Sequence, residues 1–483
     1  MNIGARGRFL VTLLALVLLG AWSFTDGSGA AHSEPSSRAA ANPVSAAPVP
    51  QNPYLAANGR GFVHDDAYQS DTYTWDGPLS PPTVIRSFFP GGKCMPPLVD
   101  SADRLVTICK EPEGPRLVLL DPATMQPLAS APLPGDTNGK LPTSYGYGYL
   151  DPQDRLVVGT PLRKIWIIEE TDSAGVPGFG LVQALDLRSY LASTDRLFSL
   201  MPDWQGRIWF VTTAGVVGWV DPEGGGPMLL SLSEPVANSL AIDETGGVYV
   251  VTDYALYRID PDAETGAPTV TWRETYDRGT RIKPGQGSQG SGTSPTLMGT
   301  DFVSIADNAD PQVHALVFRR GRDVSEARLV CSVPLFMRRK GASENSFMGT
   351  DRSLIIENNY GYRSPNSMVG GRATAPGVAR VDVVPGGSGC STVWVSAERV
   401  PASAGKLSLS NGLVYLWTKD PDPNGIDAWK FTAVDFETGV TTYDVEAGIG
   451  TNFDSNYGAI TITPDGKAYA TVVAGLVQPG VEP

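Results

Sequence analysis

The sequence predicts an all-β protein that folds as a β-propeller of eight blades. Three observations lead to this prediction. Helical periodicity is nearly absent, short runs of Val, Ile, Tyr and Trp alternate with Asp-Pro, Asp-Gly and Pro-Gly turns, and one unit of about 50 residues recurs along the chain. Units of this length with four short strands are typical of propeller blades, because each small sheet buries its faces only against neighbouring blades.

The recurring unit begins with a small-residue apolar strand, continues through a turn with Asp and Gly, and enters a second strand rich in Val and aromatic residues. Clear and weaker copies together predict eight blades and leave seven or six as alternatives. The clear copies begin at Ser199, Ser239, Thr296, Ser346, Leu407 and Ala459, and the weaker ones at Pro97 and Tyr147.

The last copy shows only its two inner strands. We therefore expect residues 83–88, near the amino end, to complete that sheet and close the ring. Ring closure of this kind removes the exposed edge strands that an open array of blades would leave.

Residues 1–31 have the pattern of a secretory signal peptide, with arginines, an apolar run and small residues at the end. An uncleaved membrane anchor is the alternative, although the apolar run is shorter than the roughly 20 residues that a membrane span needs. Residues 32–53 are rich in Ala, Ser and Pro and predict a flexible tether, and residues 54–483 form the propeller domain. We expect a secreted or extracytoplasmic protein with no integral membrane segment after removal of the signal.

The four cysteines predict two disulfides, because their number is even and the chain leaves the reducing cytosol. We favour the pairs Cys94–Cys109 and Cys331–Cys390, since each pair falls within one unit or two neighbouring units. Four buried free thiols are the alternative. The spacing excludes a zinc knuckle of the CxxC type.

The formal net charge of −14 argues against a nucleic-acid partner, because phosphate binding needs clustered Lys and Arg. The expected ligand is a small molecule or a glycan, and the expected oligomeric state is a monomer.

In each predicted blade the first two strands form an antiparallel hairpin. The residues that enter the first strand and those that leave the second therefore lie at one edge, opposite the Asp-Gly turn. We expect carboxylates, amides and tyrosines from distant units to meet there, at the mouth of the central funnel. The candidate catalytic residues are Glu344, Glu357, Asp307 and Asp253. The candidate ligand-binding residues are Asn238, Asn308, Asn345, Asn358, Tyr147, Tyr360 and Tyr457.

These side chains suit two kinds of chemistry. Carboxylate and amide oxygens are the hard ligands of which Ca²⁺ takes about six to eight, and such an ion polarises a carbonyl or phosphoryl oxygen. Alternatively, two carboxylates about 5–10 Å apart cleave a glycosidic bond without a metal, while tyrosines stack on the sugar rings. In a third, purely structural alternative, Asn and Asp at strand ends only satisfy backbone groups and turns.

Histidine is scarce, with His32 in the tether, His64 before the first blade and His314 inside a strand, so a histidine-driven triad is not expected. The stretch Gly285–Gly290 lacks the glycine that a nucleophile elbow needs two residues before its serine, and it predicts a loose loop.

Two acidic segments are further candidates. The first precedes the first blade, and we favour a solvated lead-in over an acid or base at the rim. The second, DPDPNGID, matches the first half of a calcium loop but has Phe431 where the last glutamate belongs, so a tight surface turn is favoured. The acidic residues are Asp65, Asp66, Asp71 and Asp76 in the first segment and Asp420 and Asp422 in the second.

The phrase NSLAIDETGGVYVVTD, residues 238–253, resembles the blade signature of the gluconolactonase, regucalcin and strictosidine-synthase-like propellers. The resemblance covers about one blade. It implies a calcium ion in the central channel and hydrolysis of lactones or organophosphates, although those propellers have six blades. The positions that match the metal ligands are Glu344, Asn345, Asn308 and Asn238.

The turn DFETG, residues 435–439, also resembles quinoprotein-type repeats. The tryptophan docking motif of those proteins is not repeated in this chain, so neither a quinone nor a nucleotide cofactor is expected.

Two classes of function are compatible with these patterns. One is a secreted hydrolase that acts on a polar ester, lactone or glycan at the central funnel, either with calcium or as a metal-free glycosidase or lyase with paired carboxylates. The other is a non-catalytic propeller that binds a cell-envelope ligand or a protein through the same rim.

Overall fold

The strands form eight sheets that make up an eight-bladed β-propeller, which confirms the predicted fold class. The structure is a computed structural model that describes residues 42–135 and 141–480. The predicted signal peptide, residues 1–31, and the first part of the predicted tether lie outside the described residues. No helix in the described ranges is long and apolar enough to cross a membrane.

Two short strands precede the first blade, and four strands follow in each of the first four blades. The first two strands are β1 (Thr72–Tyr73) and β2 (Val84–Phe88). Blade 1 contains β3 (Leu98–Val99), β4 (Leu105–Glu111), β5 (Gly114–Leu120) and β6 (Pro127–Pro132). Blade 2 contains β7 (Tyr149–Leu150), β8 (Leu156–Gly159), β9 (Lys164–Ser173) and β10 (Val176–Asp186). Blade 3 contains β11 (Leu197–Pro202), β12 (Ile208–Thr212), β13 (Val216–Val220) and β14 (Met228–Ser231). Blade 4 contains β15 (Ala241–Ile242), β16 (Val248–Val251), β17 (Ala255–Pro261) and β18 (Pro268–Thr275).

The remaining strands build four further blades. Blade 5 contains β19 (Thr296–Met298), β20 (Phe302–Ala306), β21 (His314–Arg319) and β22 (Leu329–Pro334). Blade 6 contains β23 (Met348–Gly349), β24 (Ser353–Glu357), β25 (Val378–Val383) and β26 (Cys390–Ser396). Strand β27 (Ser403–Ala404) joins blade 8, and blade 7 contains β28 (Lys406–Ser408), β29 (Leu413–Thr418), β30 (Ala428–Asp435) and β31 (Thr441–Ile449). Blade 8 contains β32 (Gly458–Ile462), β33 (Ala468–Val472) and β34 (Gly475–Gly480). Three short 3₁₀ helices lie at Thr143–Tyr147, Pro365–Met368 and Thr451–Phe453.

Strand β2 closes the ring as we predicted from residues 83–88. It pairs antiparallel with β34, with Val84 opposite Gly480, and forms the outer strand of blade 8. The sequence analysis found only two strands in the last copy and missed β34. With β2 bonded to β34, the last blade gains its outer strand from the amino end of the chain, and the ring closes without the open edge that an unclosed array would have.

In each of blades 1 to 4 an aspartate closes the turn between the first two strands. In blade 3, Asp203 Oδ1 accepts hydrogen bonds from the backbone N–H of Gln205 at 2.9 Å and of Arg207 at 3.0 Å. Asp100 and Asp151 make equivalent bonds in blades 1 and 2. These carboxylates are therefore structural, as expected for Asx turns.

Both predicted disulfides are confirmed. Cys94 and Cys109 join the chain before blade 1 to strand β4, and the two residues also form a β-bridge. Cys331 and Cys390 join the outer strands of blades 5 and 6. The second disulfide therefore links two neighbouring blades near their outer edges.

The segment of residues 52–75, which we call the floor segment, crosses the propeller and hydrogen bonds to the first strand of every blade. This is a correction of the sequence analysis, which favoured a solvated lead-in. Asp65, Asp66 and Asp71 are each at most 2% exposed. The blade residues that pair with the segment are Val99, Leu150, Pro202, Ile242, Leu297, Gly349, Leu407 and Ile462.

The described part of the predicted tether also contacts the propeller. The backbone N–H of Val44 donates to the Leu409 carbonyl at 2.8 Å, and Val49 packs on the cores of blades 4 and 5. The Asn52 side chain is fully buried and donates to the Pro202 carbonyl at 2.7 Å. A backbone hydrogen bond, apolar packing and a side-chain hydrogen bond hold these three residues on the blades, and amino-acid composition does not encode such contacts.

Candidate functional site

A cavity of about 740 Å³ lies on the propeller axis, where the first strands of the blades begin. Small-molecule sites in proteins have volumes of about 300–1,000 Å³. Val63 and His64 of the floor segment line the end of the cavity opposite the mouth where the first strands begin. Seven blades contribute a lining residue at or just before their first strand, and Ala404 of β27 lines the cavity just before β28 of blade 7. Examples from blades 1 to 6 and blade 8 are Pro96, Tyr147, Phe198, Asn238, Ser294, Asn345 and Gly458.

Five of the predicted site residues meet at this cavity, and all five precede the first strand of a blade. We predicted that residues entering the first strand of a blade would meet at the mouth of the funnel, and these five do. The five residues are Glu344, Asn238, Asn345, Tyr147 and Tyr457.

The predicted residues that leave the second strand of a blade do not line the cavity. Asp253, Asp307 and Glu357 all follow or end a second strand. The second strand lies one strand spacing, about 4.8 Å, farther from the axis than the first, so its end is behind the wall of the cavity. Prediction of the rim from the repeat overlooked this radial offset.

Other partners hold two of these displaced carboxylates. Asp307 Oδ2 lies 2.8 Å from His314 Nδ1, and Asp307 Oδ1 accepts the His314 backbone N–H at 2.7 Å. Asp253 is partly exposed beside Arg278, at 3.9 Å. Both carboxylates therefore belong to local pairs on the rim.

Three more predicted ligand-binding residues do not line the cavity. Asn308 donates from its amide to three backbone carbonyls, including that of Gln289 at 2.7 Å. Asn358 donates to the Lys340 carbonyl at 2.9 Å and accepts the backbone N–H of Tyr360 at 3.1 Å. The structural alternative for Asn at strand ends applies to both residues, and Tyr360 follows in the same loop.

Glu344 is the one carboxylate among the described residues that lines the cavity. Burial raises its pKa to about 8, although a hydrogen bond from the Gly287 backbone N–H opposes that rise, and the charge of Asp253 adds to it. Glu344 Oε2 has no hydrogen-bond partner among the described residues. A carboxyl with this pKa is mainly protonated at neutral pH and can donate a proton.

The glycine-rich stretch predicted as a loose loop packs against this carboxyl. A Cβ on Gly287 would lie 2.6 Å from Glu344 Oε1. A Cβ on Gly292 would lie 1.8 Å from the Ser343 carbonyl oxygen and 2.9 Å from Glu344 Oε2. A side chain at Gly292 would meet backbone and displace the loop from Glu344, whereas a side chain at Gly287 would meet the end of the Glu344 side chain itself.

Asn238 and Asn345 occupy equivalent places in two blades and are at most 7% exposed. Asn238 Nδ2 donates to the Ser291 carbonyl at 2.7 Å, and Asn345 Nδ2 donates to the Ser403 carbonyl at 2.8 Å. With the amide hydrogens directed to the neighbouring blade, the Oδ1 atoms remain as acceptors beside the cavity.

His64 lies in the cavity floor and is held by a buried charge network. Its Nδ1 is 2.9 Å from Asp71 Oδ2. Lys406 Nζ bonds to Asp71, to Asp65 at 3.1 Å and to the Val63 carbonyl at 2.6 Å. Burial acts to raise the pKa of Asp71, but His64 and Lys406 outweigh it and the pKa is lowered. An ionised Asp71 accepts the proton on His64 Nδ1 and so favours the tautomer in which Nε2 carries the lone pair. His64 Nε2 is buried and has no hydrogen-bond partner among the described residues.

Tyr147 links the floor to the Glu344 wall. Its ring centroid lies 6.0 Å from that of His64 and stacks on Phe198 at 5.3 Å. Burial raises the pKa of Tyr147, and the charges of Glu344 and Asp71 raise it further. The Tyr147 hydroxyl is therefore protonated at neutral pH.

Glu357 resembles Glu344 in its raised pKa, but it lies outside the lining of the cavity. It is fully buried, and burial raises its pKa to about 8. Its Oε1 accepts the Gly405 backbone N–H at 2.8 Å. Because it does not line the cavity, Glu357 serves as a matched control for Glu344.

Sequence reasoning missed His64, Lys93 and Lys110, which also line the cavity. His64 carried a signal, since a rare histidine stands beside several aspartates before the first blade. Lys93 and Lys110 each adjoin one cysteine of the predicted Cys94–Cys109 pair, which placed them next to each other. Nothing in the sequence placed either group at the axis.

The donors predicted for calcium fit such an ion in part. Glu344, Asn238 and Asn345 line the cavity, whereas the Asn308 amide is taken up by backbone carbonyls. The described ranges contain no group of three or more His, Cys, Asp or Glu residues that could hold a metal ion. One carboxylate is a weak set for Ca²⁺, which is usually bound by several.

The second predicted calcium segment is a surface turn. Asp422 Oδ1 accepts the Asn424 backbone N–H at 2.6 Å, and Asp420 pairs with Lys430 at 3.1 Å. These contacts match the alternative that the sequence analysis favoured.

An uncharacterized protein of Archaeoglobus fulgidus is similar to this chain, with 28% identity over 322 residues. The match covers 60% of this chain and 61% of that protein, so the chain spans about three fifths of its relative's length. No protein-family profile matches the chain. The resemblance to the gluconolactonase and regucalcin superfamily therefore stays a prediction.

Solved structures with a similar fold have low sequence identity. BamB from Moraxella catarrhalis has 13% identity and a TM-score of 0.40, covering 67% of this chain and 93% of its own. A functionally unknown protein from Desulfotomaculum acetoxidans has 13% identity and a TM-score of 0.40, with coverages of 69% and 92%. U3-55K has 10% identity and a TM-score of 0.42, with coverages of 70% and 93%. The blade count rests on the sheet topology of this chain.

Proposed function

We propose that this protein hydrolyses a small polar ester or lactone in its central cavity, outside the reducing cytosol. One observation carries the proposal: a cavity closed by the floor segment combines a carboxylate-held imidazole, His64 with Asp71, and a protonated carboxyl, Glu344. A base and an acid on one cavity are the groups that acyl hydrolysis needs. Two disulfides support the expected compartment.

The proposed step uses water as the nucleophile. His64 Nε2 takes a proton from water as the oxygen attacks the carbonyl carbon of the substrate. The bond from that carbon to the leaving oxygen then breaks, and Glu344 gives its proton to the leaving oxygen. Protons then return from the imidazolium to Glu344 through solvent, which restores both groups.

Two features favour water over a serine nucleophile. The Ser294 hydroxyl accepts the Ser239 backbone N–H at 3.1 Å, and the Ser346 hydroxyl accepts the Ser294 backbone N–H at 3.2 Å. These hydroxyls connect neighbouring blades. No hydrogen bond joins a hydroxyl to His64 within the described ranges.

An ester or lactone fits the site better than a glycoside. Glycoside hydrolysis with paired carboxylates needs two such groups across the scissile bond. Among the described residues, Glu344 is the one carboxylate that lines the cavity. Calcium held by Glu344, Asn238 and Asn345 stays a second proposal, and we derive no step through it.

The proposal is tested with a panel of p-nitrophenyl esters, simple lactones and p-nitrophenyl glycosides. We expect turnover of an ester or lactone, a loss of about 10²-fold or more in kcat/KM for Glu344→Gln, and near wild-type values for Glu357→Gln. Chelation by EGTA, followed by added Ca²⁺, decides the calcium proposal from the same rates.

Three results would contradict the proposal. They are no turnover of any compound, an equal loss in the two variants, or cleavage of glycosides alone. Saturable binding of a panel compound without turnover would instead support the non-catalytic propeller.

A further inference from the structure

Two lysines lie side by side on one wall of the cavity. The Lys110 backbone N–H donates to the Lys93 carbonyl at 2.8 Å, so the residues face each other across a short ladder. The residues adjacent to them in the chain, Cys94 and Cys109, form the first disulfide. Backbone pairing and a covalent bridge thus fix the spacing of Lys93 and Lys110.

The charge of the cavity is opposite to that of the whole chain. The protein has a formal net charge of −14. Among the described residues, the lysine, histidine and carboxylic acid side chains on the cavity wall are His64, Lys93, Lys110 and Glu344. Glu344 is mainly neutral at pH 7 because burial raises its pKa to about 8, and burial also keeps the hydroxyls of Tyr147 and Tyr457 neutral by raising their pKa. A cationic cavity in an acidic protein concentrates anions from solution.

Both ammonium groups retain capacity for a ligand. Lys93 Nζ donates one hydrogen bond, to the Asn456 carbonyl, and an ammonium has three donors. Lys110 is exposed, and its ammonium has no ion-pair partner among residues 42–135 and 141–480. Burial lowers the pKa of Lys93 to about 8, and the charge of Asp454 partly offsets this.

We propose that Lys93 and Lys110 form an anion-binding subsite, and that the ligand of the cavity carries a carboxylate or phosphate group. The inference rests on the proposed function for the reacting part of the substrate, and it adds the class of its other end. A substrate whose anionic group bonds to the two lysines would place its ester or lactone carbonyl within the same cavity as His64 and Glu344.

The test measures binding by calorimetry at pH 7 with the whole mature protein. The probes are glucuronate, inorganic phosphate and neutral glucose, and the variant is Lys93→Met with Lys110→Met. We expect an anion to bind, glucose to bind much more weakly, and the double variant to lose about tenfold or more in affinity. Lys340→Met, an exposed lysine away from the cavity, is the control and should bind as the wild type does.

A second measurement separates this inference from the hydrolase proposal. It compares hydrolysis of the anionic ester p-nitrophenyl hydrogen glutarate with that of the neutral ester p-nitrophenyl valerate. Anion binding that depends on the lysines, without turnover, supports the subsite and contradicts the hydrolase. Turnover of both esters at rates that the double variant does not change supports the hydrolase and contradicts the subsite. Absence of binding for both anions, or an equal loss in Lys340→Met, overturns the subsite.

Discussion

A Lys406→Met variant is expected to lose about 3–5 kcal/mol of folding free energy, because it removes the cation that two buried carboxylates share. Lys406 is fully buried, and it bonds to Asp65 and Asp71 under the cavity. Denaturation by urea at pH 7 measures the loss. As the pH falls the buried carboxylates protonate, so the difference from the wild type should shrink in acid.

The control for this variant is Lys467→Met. Lys467 also pairs with an aspartate, Asp465, but both side chains are more than a third exposed. An exposed pair contributes about 0–1 kcal/mol, so this variant should unfold close to the wild type. Equal stability of the two variants would mean that the network under the floor segment does not hold it in place.

A His64→Gln variant is expected to lower kcat/KM by about 10²–10⁴-fold while the protein stays folded, because glutamine keeps a bond to Asp71 but cannot accept the proton from water. Steady-state rates on the best ester or lactone from the panel measure the loss. Circular dichroism and thermal unfolding check that the fold is retained.

His314 offers a matched control for His64. It bonds to an aspartate in the same way, with Nδ1 at 2.8 Å from Asp307, but it lies away from the cavity. His314→Gln should therefore keep the activity of the wild type. A similar loss in both histidine variants would contradict the role given to His64.

The repeat in the sequence was sufficient for the fold, since strand and turn patterns are local. The eight blades, the closing strand and both disulfides follow from such patterns. Entering residues such as Glu344 and Asn238 reached the axis as predicted, because their place depends only on the start of a strand.

Long-range contacts explain what the sequence could not predict. Apart from the two-residue strand β1, the floor segment is irregular, and its burial depends on hydrogen bonds to eight separate blades. Asp71 and Lys406 are 335 residues apart in the chain. Their pairing, which orients His64, has no local signature.

The most direct test of the cavity as the catalytic site is the pH profile of kcat/KM for a neutral ester, which avoids the titration of Lys93. Glu344 can donate its proton only below its pKa, so the wild-type rate should fall as the pH rises through about 8. Gly287, Asp253, Tyr147 and Tyr457 are the groups around this carboxyl. The fall should be absent in Glu344→Gln and present in Glu357→Gln. A fall near pH 8 that persists in Glu344→Gln would contradict the assignment of Glu344 as the acid of the cavity.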